Sequence, residues 1–194
     1  MPAKPVTFDP MDAPLWEAYQ HYQALSDDVR ASLYHHLFWA DPKNWQRHTP
    51  PDWIFRLDWR TYRYSDMDDS VKLRTAVSED RAGIYIFSAS PERLIEDFPR
   101  FALYVGISNE RNSRRPLRER LGDYLPTSIS QIRKRKSVHK LLRLYFQYVW
   151  VHFAYVDKPS KEITSAEEKL HGYLAPPAAE RDYPVDMKPY KRAF

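Results

Sequence analysis

The chain predicts an α+β fold: a small three-stranded sheet, mixed or antiparallel, flanked by helices in the order β-β-α-α-β-α, behind a mainly helical N-terminal extension. Three observations predict it. Two short runs, "GIYIFS" at 83–88 and "FALYVGI" at 101–107, are apolar, β-branched and aromatic, and are close enough to pair antiparallel. A third run, "LYFQYVWVHFAYV" at 144–156, is almost continuously aromatic or β-branched, as in a strand covered on both faces. Between and after these runs the apolar spacing changes to that of helices.

Each element has its own signal. Residues 13–24 and 26–40 read as amphipathic helices, the second opening on Ser26 with Asp27 and Asp28 in the first turn, where the helix dipole favours anions. A Pro-rich, aromatic connector follows, then "WIFRLDWRTYRY" at 53–64 as a strand of imperfect alternation and 68–80 as a short helix. After strands 83–88 and 101–107, residues 115–125 form a helix with Pro116 in its first turn and Leu117, Leu121 and Leu125 at four-residue intervals. Residues 128–143 form a second, basic helix. After strand 144–156, residues 164–175 close the pattern as a helix ended by Pro176 and Pro177. The divisions fall at 1–80 (extension), 81–180 (the α+β domain) and 181–194 (a Pro-rich, polar tail).

Composition bounds the chemistry. With no cysteine among 194 residues, disulfides, Cys-bound zinc and a thiol nucleophile are excluded. No apolar run approaches membrane-spanning length and the N-terminus lacks a signal-peptide core. The expectation is a soluble, cytoplasmic protein, with nucleoid and nucleus open. The net charge of +4 conceals an asymmetry: residues 111–143 hold eleven Lys or Arg against two acids, a net of +9, which leaves −5 for the rest. Residues 1–80 hold nine basic and thirteen acidic side chains, a net of −4. A concentrated basic segment is the footprint of a phosphate-backbone binder. Taken alone, a charge run reads as a solvated helix face. Candidate contacts are Arg111, Arg114, Arg115, Arg118, Arg133, Lys134, Arg135, Lys136 and Lys140. The acidic extension reads instead as a packing surface, a homodimer contact or the seat of a protein partner.

Arg120 and Tyr124 are four apart and share one helix face, and Glu167 stands at the start of the last predicted helix. A guanidinium, several phenols and a carboxylate suit phosphodiester hydrolysis: the carboxylate holds a divalent metal, the guanidinium stabilises charge on phosphorus, and a phenol orients water. Here the chain resembles the GIY-YIG nuclease superfamily. "GIY" at 83–85 matches the first motif and "YVG" at 104–106 a common variant of the second. "PLRERLGDYL" is similar to the arginine-helix segment, landing on Arg120 and Tyr124. "EEKLHGYLAP" is similar to the acidic helix, with Glu167, Leu170 and Pro176 at the family spacing. The resemblance covers roughly residues 81–180. "SPERLIEDF" and "NERNSRR" are longer than the family pattern, and Ala179 and Glu180 stand where many members carry an asparagine.

The resemblance implies a metal-dependent endonuclease acting on DNA. Glu167 would be the protein ligand of Mg²⁺ (or Mn²⁺), Arg120 would grip the scissile phosphate, and Tyr85 would activate or orient water. Tyr104 and Tyr124 would complete the polar wall, and Gly83 and Gly106 would allow close backbone approach. The alternative is a non-catalytic nucleic-acid-binding or adaptor protein on the same fold.

Other residues have plainer readings. Thr164 with Glu167, or Ser165 with Glu168, would make a capping box at the last helix, and the two registers are equally good. His21, His35 and His36 read as solvated or packing side chains, and His152 as a hydrogen-bonded core histidine. Nothing in the spacing of His139 or His171 favours a role. Trp39, Trp45, Trp53 and Trp59 read as core.

Overall fold

A computed structural model describes residues 42–67, 69–90, 100–108, 115–125 and 136–178. The helices expected at 13–24 and 26–40, residues 128–135 of the basic helix, and the tail 181–194 lie outside these residues. Among the described residues, no helix is long and apolar enough to cross a membrane.

Helix α1 (Pro42–Arg47) and the single turn α2 (Asp52–Phe55) precede strand β1 (Arg60–Arg63), a 3₁₀ turn (Tyr64–Met67) and helix α3 (Ser70–Ala76). Strands β2 (Gly83–Ala89) and β3 (Phe101–Ile107) follow, then helices α4 (Leu117–Gly122) and α5 (Lys136–Leu144). After a 3₁₀ turn (Phe146–Tyr148), strand β4 (Val149–Tyr155) and helix α6 (Ser160–Leu174) complete the described chain. The sheet has four strands in the order β1-β4-β2-β3, all antiparallel. The three expected strands are therefore present, and β1 adds a fourth. It pairs with β4 from Arg60 opposite Phe153 to Arg63 opposite Trp150.

Several elements differ from their expected extents. The strand expected over 53–64 splits in two. Asp52–Phe55 turns as a helix after the two prolines and buries Ile54, and Trp59 donates its indole N–H to the Ile54 carbonyl at 3.0 Å before extension begins at Arg60. α3 is shorter than expected at both ends; it begins at Ser70 because Asp69 caps it, accepting from the backbone N–H groups of Val71 at 2.7 Å and Lys72 at 2.9 Å. Those same bonds hold the Asp69 carboxyl below its usual pKa. Pro116 stands just before α4 in extended conformation rather than within it. α6 begins four residues earlier than expected. Pro159, its torsion preset near the helical value, precedes Ser160, and Thr164 donates its hydroxyl to the Ser160 carbonyl at 2.9 Å. Neither capping box forms, and Glu167 lies in the third turn of α6, not at its start.

The sheet separates two cores because successive side chains point to opposite faces. On one face Tyr85, Phe87, Val151 and Phe153 pack with Tyr64, Leu73, Leu117, Leu121, Tyr124, Val138 and Leu142. On the other, Ile84, Val105 and Ile107 meet Ile163, Ala166 and Leu170 of α6, with Ile54 and Val156. Residues 54–77 thus share sheet and core with residues 83–178. β4 is buried at Val149, Val151 and Phe153, but Trp150 and His152 on its other face are only half-buried, so the expected cover on both faces is partial. The β2–β3 register shifts after Phe87, where Leu103 is the extra residue between Ala102 and Tyr104.

Both motif glycines are required by space, since neither has a positive φ. A Cβ at Gly83 would lie 2.6 Å from the Ala154 carbonyl oxygen and 2.8 Å from a Leu117 methyl. One at Gly106 would overlap Cζ and Oη of Tyr85, which crosses directly over it from the paired strand.

Candidate active site

β2, β3 and the chain leaving α4 each bring one tyrosine to the same place on the α4 side of the sheet. The ring centroids of Tyr85 and Tyr124 are 5.8 Å apart, those of Tyr104 and Tyr124 5.7 Å, and those of Tyr85 and Tyr104 6.1 Å. The Tyr85 hydroxyl donates to the Tyr124 hydroxyl at 3.0 Å, and the Tyr64 hydroxyl donates to the Tyr124 backbone carbonyl. Tyr124 is thereby held at both ends, by groups 39 and 60 residues away in sequence.

This cluster is enclosed. Tyr85 and Tyr124 expose none of their surface, and Tyr104 exposes 8%. Two buried histidines close its sides. His139 of α5 lies against Tyr124, with centroids 5.9 Å apart and rings tilted 33°, and His171 of α6 meets Tyr104 edge-on at 6.5 Å. The sequence reading missed both. One signal was available: Ile163, Ala166, Glu167, Leu170 and His171 form one helical stripe, so Glu167 and His171 occupy positions where apolar residues are expected.

Arg120, half-buried, is in the last turn of α4, one helical turn before Tyr124. Arg115 clamps α4: its guanidinium makes two 2.9 Å hydrogen bonds to Asp123 and lies 3.5 Å from Glu119. The bonds to Asp123 raise the Arg115 pKa, while burial and the nearby charge of Arg120 oppose the rise. Glu167 exposes 9% and precedes His171 by one turn of α6, on the same helix stripe. The structure therefore brings Tyr85, Tyr104 and Tyr124 into direct contact, with Arg120 and Glu167 on the helices α4 and α6 that border them.

The expected nucleic-acid contacts fare differently. Arg115 is engaged as described, and Arg118 reaches Asp80 at 2.5 Å and the Ser78 carbonyl at 3.5 Å. Arg111, Arg114, Arg133, Lys134 and Arg135 lie outside the described residues, as do the side chains of Lys136 and Lys140 on α5.

Among the described residues, no group of three or more His, Cys, Asp or Glu side chains is arranged to hold a metal. The donor the site offers is one carboxylate, Glu167. That set fits Mg²⁺, which keeps most of its water and is held by one or two carboxylates together with substrate phosphates rather than by an all-protein cage.

No family model, curated protein or solved structure matches the chain.

Proposed function

We propose that this protein is a metal-dependent endonuclease that hydrolyses DNA phosphodiester bonds at a site bordered by Arg120 and Glu167. The observation that carries the reading is the tyrosine cluster. The "GIY", "YVG" and arginine-helix segments, which resemble one nuclease family in sequence, meet through Tyr85, Tyr104 and Tyr124, with a 3.0 Å hydroxyl–hydroxyl bond at the centre. The strands β3-β2-β4 flanked by helices are also the arrangement that the resemblance implies.

Each group then has a defined task. Arg120 offers a guanidinium fork to the non-bridging oxygens of the scissile phosphate, where negative charge accumulates in the transition state. Glu167 would hold Mg²⁺ or Mn²⁺, which supplies Lewis-acid polarisation of the phosphate and lowers the pKa of bound water. Tyr85 and Tyr124 have no exposed surface, so in the described conformation they act from behind, fixing α4 and hence Arg120 against β2. The phenol assigned by resemblance to orient water meets water only when the cluster opens. Full burial of the phenols favours a second reading, a non-catalytic nucleic-acid binder in which the tyrosines are core.

A plasmid-nicking assay with Mg²⁺, Mn²⁺ and EDTA decides between them. Metal-dependent nicking, abolished by EDTA and lowered at least about 100-fold in Arg120→Ala and Glu167→Gln at unchanged melting temperature, is the expected result. Undiminished nicking by either variant overturns the residue roles. DNA binding without metal and without cleavage establishes the second reading.

A further inference from the structure

Exposed apolar surface is concentrated where α5 runs into β4. Five large hydrophobic side chains are exposed among the described residues, and three of them, Leu144 (67%), Tyr145 (39%) and Tyr148 (48%), stand in one short stretch. Phe146, between them, turns the other way and meets the Tyr64 ring edge-on at 5.5 Å. The backbone here is fixed on both sides. Tyr145 N–H donates to the Leu141 carbonyl at 3.0 Å, and Tyr148 N–H to the Tyr145 carbonyl at 2.7 Å. Ser90 N–H, just past β2, donates to the Tyr148 carbonyl at 3.0 Å. A bond from residue i+3 back to residue i brings side chains three apart to one side of the backbone, so Tyr145 and Tyr148 project together. Neither ring belongs to the core, where Leu142, Phe146 and Val149 make the inward contacts of this stretch.

We propose that this turn is a stacking platform for the unpaired bases of a single DNA strand. Charge points to that occupant. From Lys136 to Tyr148 the chain has three basic residues, Lys136, Lys140 and Arg143, and no acid. Their spacing puts those three positions on one side of α5, away from the buried Val138, His139 and Leu142. Arg143, in the last turn of α5, is exposed and adjoins Leu144 and Tyr145. The neighbouring 3₁₀ turn brings one exposed acid, Asp66, which leaves the region positive. Exposed rings beside a cation are the combination that holds single strands: the rings take base faces and the cation takes phosphate. A duplex keeps those faces stacked inside, whereas an unpaired strand presents them. Position agrees with this. Phe146 packs on Tyr64, whose hydroxyl donates to the Tyr124 carbonyl, so platform and tyrosine cluster stand on the same side of the sheet. That the strand is DNA rests on the function proposed above; the platform itself does not require cleavage.

The test is binding of the full-length protein, followed by fluorescence anisotropy in EDTA. The probes are oligothymidylate of about 15 nucleotides, within the span of one small binding domain, a strand of equal length lacking the bases, and a duplex of equal length. Oligothymidylate should bind more tightly than the abasic strand. Tyr145→Ala and Tyr148→Ala should each weaken oligothymidylate binding about fivefold or more, and leave abasic and duplex affinities within about twofold, at unchanged melting temperature. Tyr145→Phe and Tyr148→Phe keep the ring faces and should bind as the native chain does. Arg143→Gln should reduce the slope of log affinity against log salt by about 0.7. Equal losses on oligothymidylate and the abasic strand overturn the proposal, as does the absence of loss in both alanine variants. Loss of self-association in sedimentation, with DNA affinity unchanged, also overturns it and assigns the patch to a second copy. Tighter binding of oligouridylate with the same tyrosine dependence overturns the choice of DNA in favour of RNA. Nicking is scored separately with Mg²⁺. A chain that passes here without nicking keeps the platform and loses the nuclease reading, and one that nicks but fails here does the reverse.

Discussion

The hydroxyl–hydroxyl bond between Tyr85 and Tyr124 can be tested with a double-mutant cycle. Both rings are fully buried, and the donor and acceptor are 3.0 Å apart. Tyr85→Phe removes the donor and leaves the Tyr124 oxygen without that bond in a dry site. Tyr124→Phe does the reverse to the Tyr85 O–H group. Each change forfeits a bond of net worth about 1 kcal/mol and adds part of a desolvation penalty of about 1–3 kcal/mol, so each should cost about 2 kcal/mol. With both hydroxyls removed, no bond is lost on one side only, and the rings keep their packing. The double variant should therefore cost clearly less than the sum of the singles, with a coupling of about 1 kcal/mol or more. Urea unfolding of the four proteins at pH 7 measures it. Additivity within about 0.3 kcal/mol would refute the assignment of this bond as a stabilising link between β2 and α4.

Two further outcomes follow from the same structure. His152 has its pKa lowered from 6.5 to about 4 by burial and by Arg100. A group whose folded pKa lies below its unfolded value contributes stability that is present above pH 6.5 and lost as pH falls toward 4. Between pH 7 and pH 5 that loss is about 2 kcal/mol by linkage. The stability difference between the native chain and His152→Gln should shrink by that amount across this interval, and an unchanged difference in unfolding free energy from urea titrations at the two pH values would contradict it. Gly106→Ala should lower stability by about 2 kcal/mol, or roughly 4–8 °C in melting temperature, because the new methyl overlaps the buried tip of Tyr85. Combining it with Tyr85→Leu should recover part of that loss in calorimetry.

Local pattern carried the element types well where the signal was dense. Strands 83–88 and 101–107 appear at nearly their expected bounds, paired antiparallel, since alternation and β-branching act within a few residues. α6 shows where local reading stops. Thr164 and Ser165 have the chemistry of caps, but Pro159 starts the helix a turn earlier and turns both into interior residues. The strand expected over 53–64 failed for a related reason: β1 is extended because β4 offers it a partner, while Asp52–Phe55 coils to bury Ile54.

The sequence by itself determined the residue types of the candidate site and their order along the chain: Gly83, Tyr85, Tyr104, Gly106, Arg120, Tyr124 and Glu167. It also set the separation of a basic middle from an acidic N-terminal region, because charge and composition are additive along a chain. Only the tertiary structure decided that β4 lies between β1 and β2, that the Tyr85 hydroxyl donates a hydrogen bond to the Tyr124 hydroxyl rather than facing water, and that His139 and His171 close the cluster. Those outcomes depend on contacts between residues tens of positions apart, where the choice of neighbour is set by how two cores fill on opposite faces of one sheet. No short-range periodicity encodes that choice.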